Sequence, residues 1–181
     1  MIICITGTPG TGKTKVAGEL AKMLGYDAIS ITELVKAKKI QSTCDRKRKS
    51  LVVDEKKLDR AIKKLLDPKK SYIIESHLAH YIRSDMCVVL RTNPAKLELR
   101  LAARRWAKDK IMENVQAEIL DLAAAEAISQ NKNVIEIDTS RKSPQQAARL
   151  IVNVLKRHLQ KNYRAGRIDW TRKYLRYLTG D

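Results

Sequence analysis

The chain contains no phenylalanine, and Trp and Tyr together bring aromatics to only 4% of 181 residues. Its core must therefore be assembled from Ile, Leu, Val and Ala, which the 44% hydrophobic content allows. Long apolar runs are missing too. None approaches the ~18 residues a membrane-spanning helix needs, so no membrane contact is expected. Ile2 to Ile5 is too short for a signal peptide and runs straight into a glycine loop. Cysteine is scarce, with only Cys4, Cys44 and Cys87. No Cys-x-x-Cys pair exists, which excludes the usual zinc spacings. Cys4 and Cys87 sit inside apolar runs and read as small buried hydrophobes. An odd count without a secretion signal points to a reducing, cytoplasmic setting. Acids are in deficit: 20 Asp+Glu face 37 Lys+Arg, a formal charge of +17. Such a field attracts polyanions and makes their binding salt-sensitive. Two readings stand, contact with RNA or an RNA-bound partner, and a lysine-rich solvated surface of the thermophile kind. Nothing implies specificity for DNA.

The length suits one domain over residues 1–181, with no repeat or linker to mark a second. Five short runs read as strands: Ile2 to Thr6, Ala28 to Ile31, Tyr72 to Glu75, Met86 to Leu90 and Val134 to Ile137. Four are almost continuously apolar, as expected for strands covered on both faces. Helical patterns separate them. Lys13 to Leu24 closes at Gly25, a C-cap candidate. Asp54 to Leu66 carries Leu58, Ile62, Leu65 and Leu66 on one face and stops before Pro68. Pro94 to Trp106 follows an Asn93 cap. Ile111 to Ser129 reads as one helix, and Pro144 to Leu159 starts from a Ser-Pro cap. The alternation predicts an α/β fold, a five-stranded parallel sheet with helices on both faces in three layers. Ser42 to Ser50 reads as a basic, turn-like insert.

What is present most distinctively is "GTPGTGKT", Gly7 to Thr14, between the first strand and the first helix. It fits the Walker A pattern in the context the motif requires. Gly7, Gly10 and Gly12 let backbone N–H groups turn inward, and the helix adds its positive end to the same anion. Lys13 reaches the β/γ phosphates and the Thr14 hydroxyl ligates Mg2+, so ATP or another nucleoside triphosphate is the expected ligand. Asn131 to Val134, "NKNV", fails as a guanine-specificity box because Val134 stands where a carboxylate is needed. A GTPase switch is therefore discarded.

The third strand ends in Glu75, where an acid holding the magnesium shell is expected. His77 follows two residues later. A neutral imidazole there could orient a water on the γ-phosphate or brace a magnesium-bound water. It could equally be a capping or core histidine, and His80 reads as structural. After the fourth strand, Arg100 and Arg104 are four apart on one helix face, with Arg105 adjacent. Cations at that place would stabilise the transferring phosphoryl group, and a solvated face is the alternative.

These motifs together resemble the nucleoside-monophosphate kinase superfamily. They are most similar to the small CINAP-type adenylate-kinase isoenzymes of archaea and eukaryotes, which double as small-ribosomal-subunit maturation factors. The matching residues are Thr6 to Thr14, Glu75-Ser76-His77, Leu90 to Pro94, Arg100 to Trp106 and Asn114 to Ile119, a match running from about Ile2 to Ile137. The resemblance implies a P-loop fold with a nucleoside-monophosphate flap at about 30–53 and a short lid at about 103–113. It implies that Gly10, Gly12, Lys13, Thr14 and Lys15 bind the triphosphate and that Arg104 clamps it. It also implies that Glu75 and His77 serve hydrolysis and magnesium organisation, and that a platform protein of the small subunit is a partner. Glu75 replaces the family's usual Asp, and the flap is basic at Arg46 to Lys49 where eukaryotic relatives are acidic. The tail beyond His158 has no counterpart in the resemblance.

That basic tail, about 160–181, interleaves Tyr163, Trp170, Tyr174 and Tyr177 with cations. Contact with rRNA through phosphates and stacking is one reading. An amphipathic helix docked on its own core or on a ribosomal protein is another, and a frayed tail a third. The expected function is that of a broad-specificity nucleoside-monophosphate (adenylate) kinase, ATP + AMP to 2 ADP, with ATPase activity coupled to late small-subunit and 16S rRNA maturation. An assembly ATPase with little kinase role is the first alternative and a small-metabolite kinase the second.

Overall fold

A computed structural model describes residues 1–40, 43–45 and 50–179. The chain runs β1 (Ile2–Thr6), α1 (Lys13–Leu24), β2 (Asp27–Ser30), α2 (Ile31–Lys36), β3 (Thr43–Asp45), β4 (Ser50–Val52), α3 (Glu55–Lys63) and β5 (Tyr72–Glu75). It continues through β6 (Met86–Arg91), α4 (Pro94–Ala102), α5 (Lys108–Ile119), α6 (Leu122–Gln130), β7 (Val134–Asp138) and α7 (Pro144–Lys156), ending in the short helices α8 (Thr171–Tyr174) and α9 (Arg176–Thr179). Five strands form one parallel sheet in the order β2-β5-β1-β6-β7. β1 is central, so the loop that follows it opens at the middle of the sheet's carboxyl edge.

Side-chain alternation builds the two cores. Ile3 and Ile5 of β1, with Met86, Val88 and Leu90 of β6, face α1 and α7. Cys4, Cys87 and Val89 point the other way, towards α2, α3 and α6. Burying each aliphatic side chain contributes roughly 1.5–3 kcal/mol, so Ile, Leu and Val suffice without phenylalanine. Cys4 and Cys87 are buried free thiols, and burial pushes Cys4 up to about 12. Ala147 and Ala148 of α7 are fully buried and let that helix lie close on α1. The Ser143 capping box with Gln146 fixes where α7 begins.

Four local expectations need correction. Ile31 starts a helix capped by Ser30 and does not end a strand. The insert carries a two-stranded antiparallel hairpin, β3 with β4, while Arg46 to Lys49 lie outside the described residues. The helix expected from Pro94 to Trp106 ends at Ala102 in a turn whose Arg105 has φ 58°. Most importantly, the helix expected from Ile111 to Ser129 is two helices, parted at Asp121 with φ 56°. Its halves serve different cores. Ile111, Val115 and Ile119 pack with α4, whereas Ala124 and Ala127 join the face shared by Cys4 and Cys87.

The tail docks on the domain itself. Arg164 bridges antiparallel to Ile135 and Ala165 donates to the Val134 carbonyl at 3.2 Å, covering the edge of β7. Tyr174 is buried, and with Trp170, Tyr177 and Leu178 it covers Leu97, Leu101, Ile111, Val115 and Ile119. Edge-on ring contacts join Trp170 to Tyr174 and Tyr174 to Tyr177. These aromatics close an intramolecular core. Among the described residues no helix is long and apolar enough to cross a membrane.

Candidate active site

The loop from Gly7 to Gly12 leaves β1 and enters α1 with its glycines in conformations that side chains resist. Gly7 has φ 131°, and a Cβ there would lie 2.4 Å from the Leu90 carbonyl. Gly10 has φ 97°, and its Cβ would lie 2.7 Å from Leu97 of α4. The backbone therefore hugs β6 and α4, leaving its open side to a ligand. Lys13 folds back across the loop, its Nζ donating to the Gly7 carbonyl at 2.7 Å and the Thr8 carbonyl at 3.1 Å. Burial lowers its pKa from 10.5 to about 8; Glu75 and Glu118 oppose that fall, and Arg104 adds to it.

Pairing of Ile5 with Glu75 sets the Glu75 carboxyl beside the loop. Glu75 is buried, yet no hydrogen bond or ion pair to a described residue ties up its side chain. Among the described residues no cluster of three His, Cys, Asp or Glu could hold a metal alone. Magnesium takes one or two protein oxygens and completes its shell with phosphate and water. Thr14, exposed on the first turn of α1, and Glu75 are the residues that fit it. His77 is exposed, two residues beyond the end of β5. Partial desolvation, then the nearby charges of Lys13 and Lys110, lower its pKa and favour the neutral ring. His80 is a core residue, its Nδ1 2.9 Å from Thr6 Oγ1, and burial brings it down to about 4.

On the other flank, Arg100 and Arg104 line one cavity of about 410 Å³ with Gly10, Lys15 and Lys142. Their situations differ. Arg104 and Lys15 are exposed, free to meet a phosphate or base. Arg100 is spread over loop acceptors: Thr92 Oγ1 at 3.2 Å, the Thr139 carbonyl at 3.0 Å and the Gly10 carbonyl at 3.5 Å. A larger cavity of about 770 Å³ lies at the opposite, amino end of β7, lined by Lys132, Asn133, Lys161 and Arg164. No residue of the phosphate loop lines it, so its size does not make it the site of phosphate chemistry.

Two residues at the site lie inside the matched segments Leu90 to Pro94 and Asn114 to Ile119, yet the sequence assigned them no role. Glu118 is fully buried in α5, accepting from Thr8 Oγ1 at 2.5 Å, Arg91 Nε at 2.8 Å and the Thr92 amide at 3.0 Å. Arg91 ends an otherwise apolar strand and is buried against Glu118, Asp121 and Glu136. The available signals were an acid on the apolar face of α5, three after Val115, and a cation where β6 should have stayed apolar.

Comparison with known proteins bears on the family and the fold. A family model described as "AAA domain" matches residues 3–121. The protein named "Putative adenylate kinase" in Methanocaldococcus jannaschii is 40% identical over 179 residues, spanning 99% of this chain and 98% of its own. Its namesake in Thermococcus kodakarensis is 37% identical over 174 residues, 96% of this chain and 95% of its own. The tail thus has a counterpart after all, since the match runs nearly end to end. Among solved structures, shikimate kinase from Acinetobacter baumannii superposes with a TM-score of 0.63 at 15% identity, covering 87% of this chain and 93% of that one. A gluconokinase from Sinorhizobium meliloti reaches 0.55 at 16% identity, covering 88% and 93%. At such identities they bear on the fold alone, a P-loop kinase fold with a parallel sheet between helical layers. With relatives matching along almost their whole length, the chain belongs to the family of adenylate kinase homologues that these archaeal proteins represent.

Proposed function

We propose that the protein transfers the γ-phosphate of ATP to AMP, with other nucleoside monophosphates accepted less strictly. The observation that carries this reading is the glycine loop holding Lys13 beside Glu75, with the arginine-lined cavity on its other flank. Gly10, Gly12, Lys13, Thr14 and Lys15 bind the triphosphate, and Arg104 closes on it from the turn after α4. Lys13 follows the charge that develops on the transferring group, a stabilisation realised in the transition state. Arg100 keeps the loop carbonyls in place. Magnesium, held by Thr14 and by Glu75 directly or through water, would neutralise the β/γ oxygens. The segments at about 30–53 and 103–113 serve as acceptor flap and lid. Shikimate and gluconate kinases share only the fold, so a small-metabolite acceptor has no separate support.

A second reading has its own supporting observation. The neutral ring of His77 beside Glu75 suits activation of a water, so ATP hydrolysis accompanies transfer. Coupled to a net charge of +17, that activity fits late maturation of the small ribosomal subunit through a platform protein and rRNA. The test is ADP formation from ATP with and without AMP. Kinase function predicts output that rises with AMP. Output fixed at the basal hydrolytic rate would remove the transferase and leave the hydrolase.

A further inference from the structure

A continuous chain of buried and part-buried polar contacts runs from the phosphate loop to the C-terminal segment. It starts at Thr8, which carries two roles at once. The Thr8 carbonyl accepts from Lys13 Nζ at 3.1 Å and from Thr11 Oγ1 at 2.9 Å, while its hydroxyl donates to Glu118 at 2.5 Å. Glu118 uses its other oxygen for Arg91 Nε and the Thr92 amide. Arg91 donates onward to Glu136 Oε2 at 3.3 Å, to Asp121, and to the Ile168 carbonyl at 3.3 Å. Glu136 Oε1 then accepts the backbone amides of Arg167 and Ile168 at 2.5 and 2.6 Å.

Every member of this chain needs the next. One guanidinium faces three carboxylates, and Arg91, Glu118 and Glu136 are all at least 97% buried. A buried acid without its donors is strongly disfavoured, so the amides of the tail complete Glu136 and thereby fix Arg91. Arg91 in turn fixes the rotamer of Glu118, which fixes Thr8. A simpler fold would have covered the edge of β7 with apolar side chains. Here the tail supplies hydrogen-bond donors to an acid that reaches, through one arginine, the loop that grips the phosphates.

We propose that Glu118 and Arg91 are positioning residues for phosphoryl transfer, and that the Arg167–Ile168 turn of the tail sets the phosphate loop through them. The proposal rests on the kinase reading for its purpose, but its test does not. In the nucleotide-free full-length protein, amide hydrogen exchange is followed over Gly7 to Lys13, in the parent and in Glu136→Gln. Glu136 bonds only to Arg91 and the tail among the described residues, so the substitution touches the loop solely through the chain. The expected result is exchange at Gly7 to Thr11 accelerated about fivefold or more, with α7 unchanged. Exchange altered only around 134–138 and 164–175 would overturn the relay.

MgATP affinity supplies a second, independent readout as a double-mutant cycle. Thr8→Val should weaken binding about tenfold and Glu136→Gln about threefold, while the double variant is no weaker than Thr8→Val alone, because the chain is already cut. Thr8→Ser, which restores the hydroxyl, should stay within about twofold of the parent. Losses that multiply, or a Thr8→Ser as poor as Thr8→Val, would overturn the assignment. Should Glu136→Gln not fold, Asp121→Asn loosens the same arginine; asparagine tolerates the left-handed backbone at 121, and the loop exchange is read identically. A parent that fails to phosphorylate AMP would refute the kinase reading and leave the exchange result standing.

Discussion

Lys13 offers a direct electrostatic test of the phosphate site. Without nucleotide its ammonium rests on two loop carbonyls, and burial there lowers its pKa from 10.5 to about 8. At pH 7 about nine-tenths of the free protein carries the charge, and at pH 9 about one-tenth. A bound triphosphate holds Lys13 protonated. The sign follows: binding takes up a proton above pH 8, and affinity is full below that value and lost above it. Uptake should be about half a proton at pH 8 and about nine-tenths at pH 9. Affinity should fall about tenfold from pH 7 to pH 9, or about 1.4 kcal/mol. Titration calorimetry at pH 9, in buffers of different ionisation enthalpy, measures the uptake. Lys13→Ala should bind weakly and show none. Uptake near zero at pH 9 in the parent, or affinity flat from pH 7 to pH 9, would refute the reasoning.

Three substitutions follow from the geometry. Gly7→Ala forces a Cβ to 2.4 Å from the Leu90 carbonyl at a φ of 131°, so stability should drop by roughly 2–4 kcal/mol with nucleotide binding lost; parent-like thermal unfolding would contradict it. His77→Ala should cut ATP hydrolysis by about 10²-fold while ATP affinity stays within about twofold, and unchanged hydrolysis would strip the histidine of its role. Arg100→Lys keeps the charge but loses the fork that spans the Thr92, Thr139 and Gly10 acceptors, so kcat should fall about tenfold; parent-like turnover would show that charge alone matters there.

How far the sequence disclosed this depended on the range of the interaction. The phosphate loop was legible because its glycines, Lys13 and Thr14 are consecutive and their geometry is local. The sheet was legible because Ile3, Cys4 and Ile5 alternate between two apolar faces, so β1 reads as buried on both. The break at Asp121 was not legible: apolar periodicity counts which residues are buried, not which core receives them. Glu118 stood inside the matched segment Asn114 to Ile119 without a role of its own, because its partners lie 26 to 110 residues away in sequence. The tail was ambiguous for the same reason. Trp170, Tyr174 and Tyr177 suit stacked bases as well as the face of α4 and α5, and only the fold shows an apolar face there to cover.

The central claim is that the terminal phosphate of ATP leaves this loop for a nucleoside monophosphate. Incubating the protein with Mg2+, AMP and ATP labelled in its γ-phosphate decides it. The account predicts label in the β-position of newly formed ADP, matching the AMP consumed and absent with Lys13→Ala. Label recovered solely as inorganic phosphate, at a rate that AMP does not alter, would contradict it.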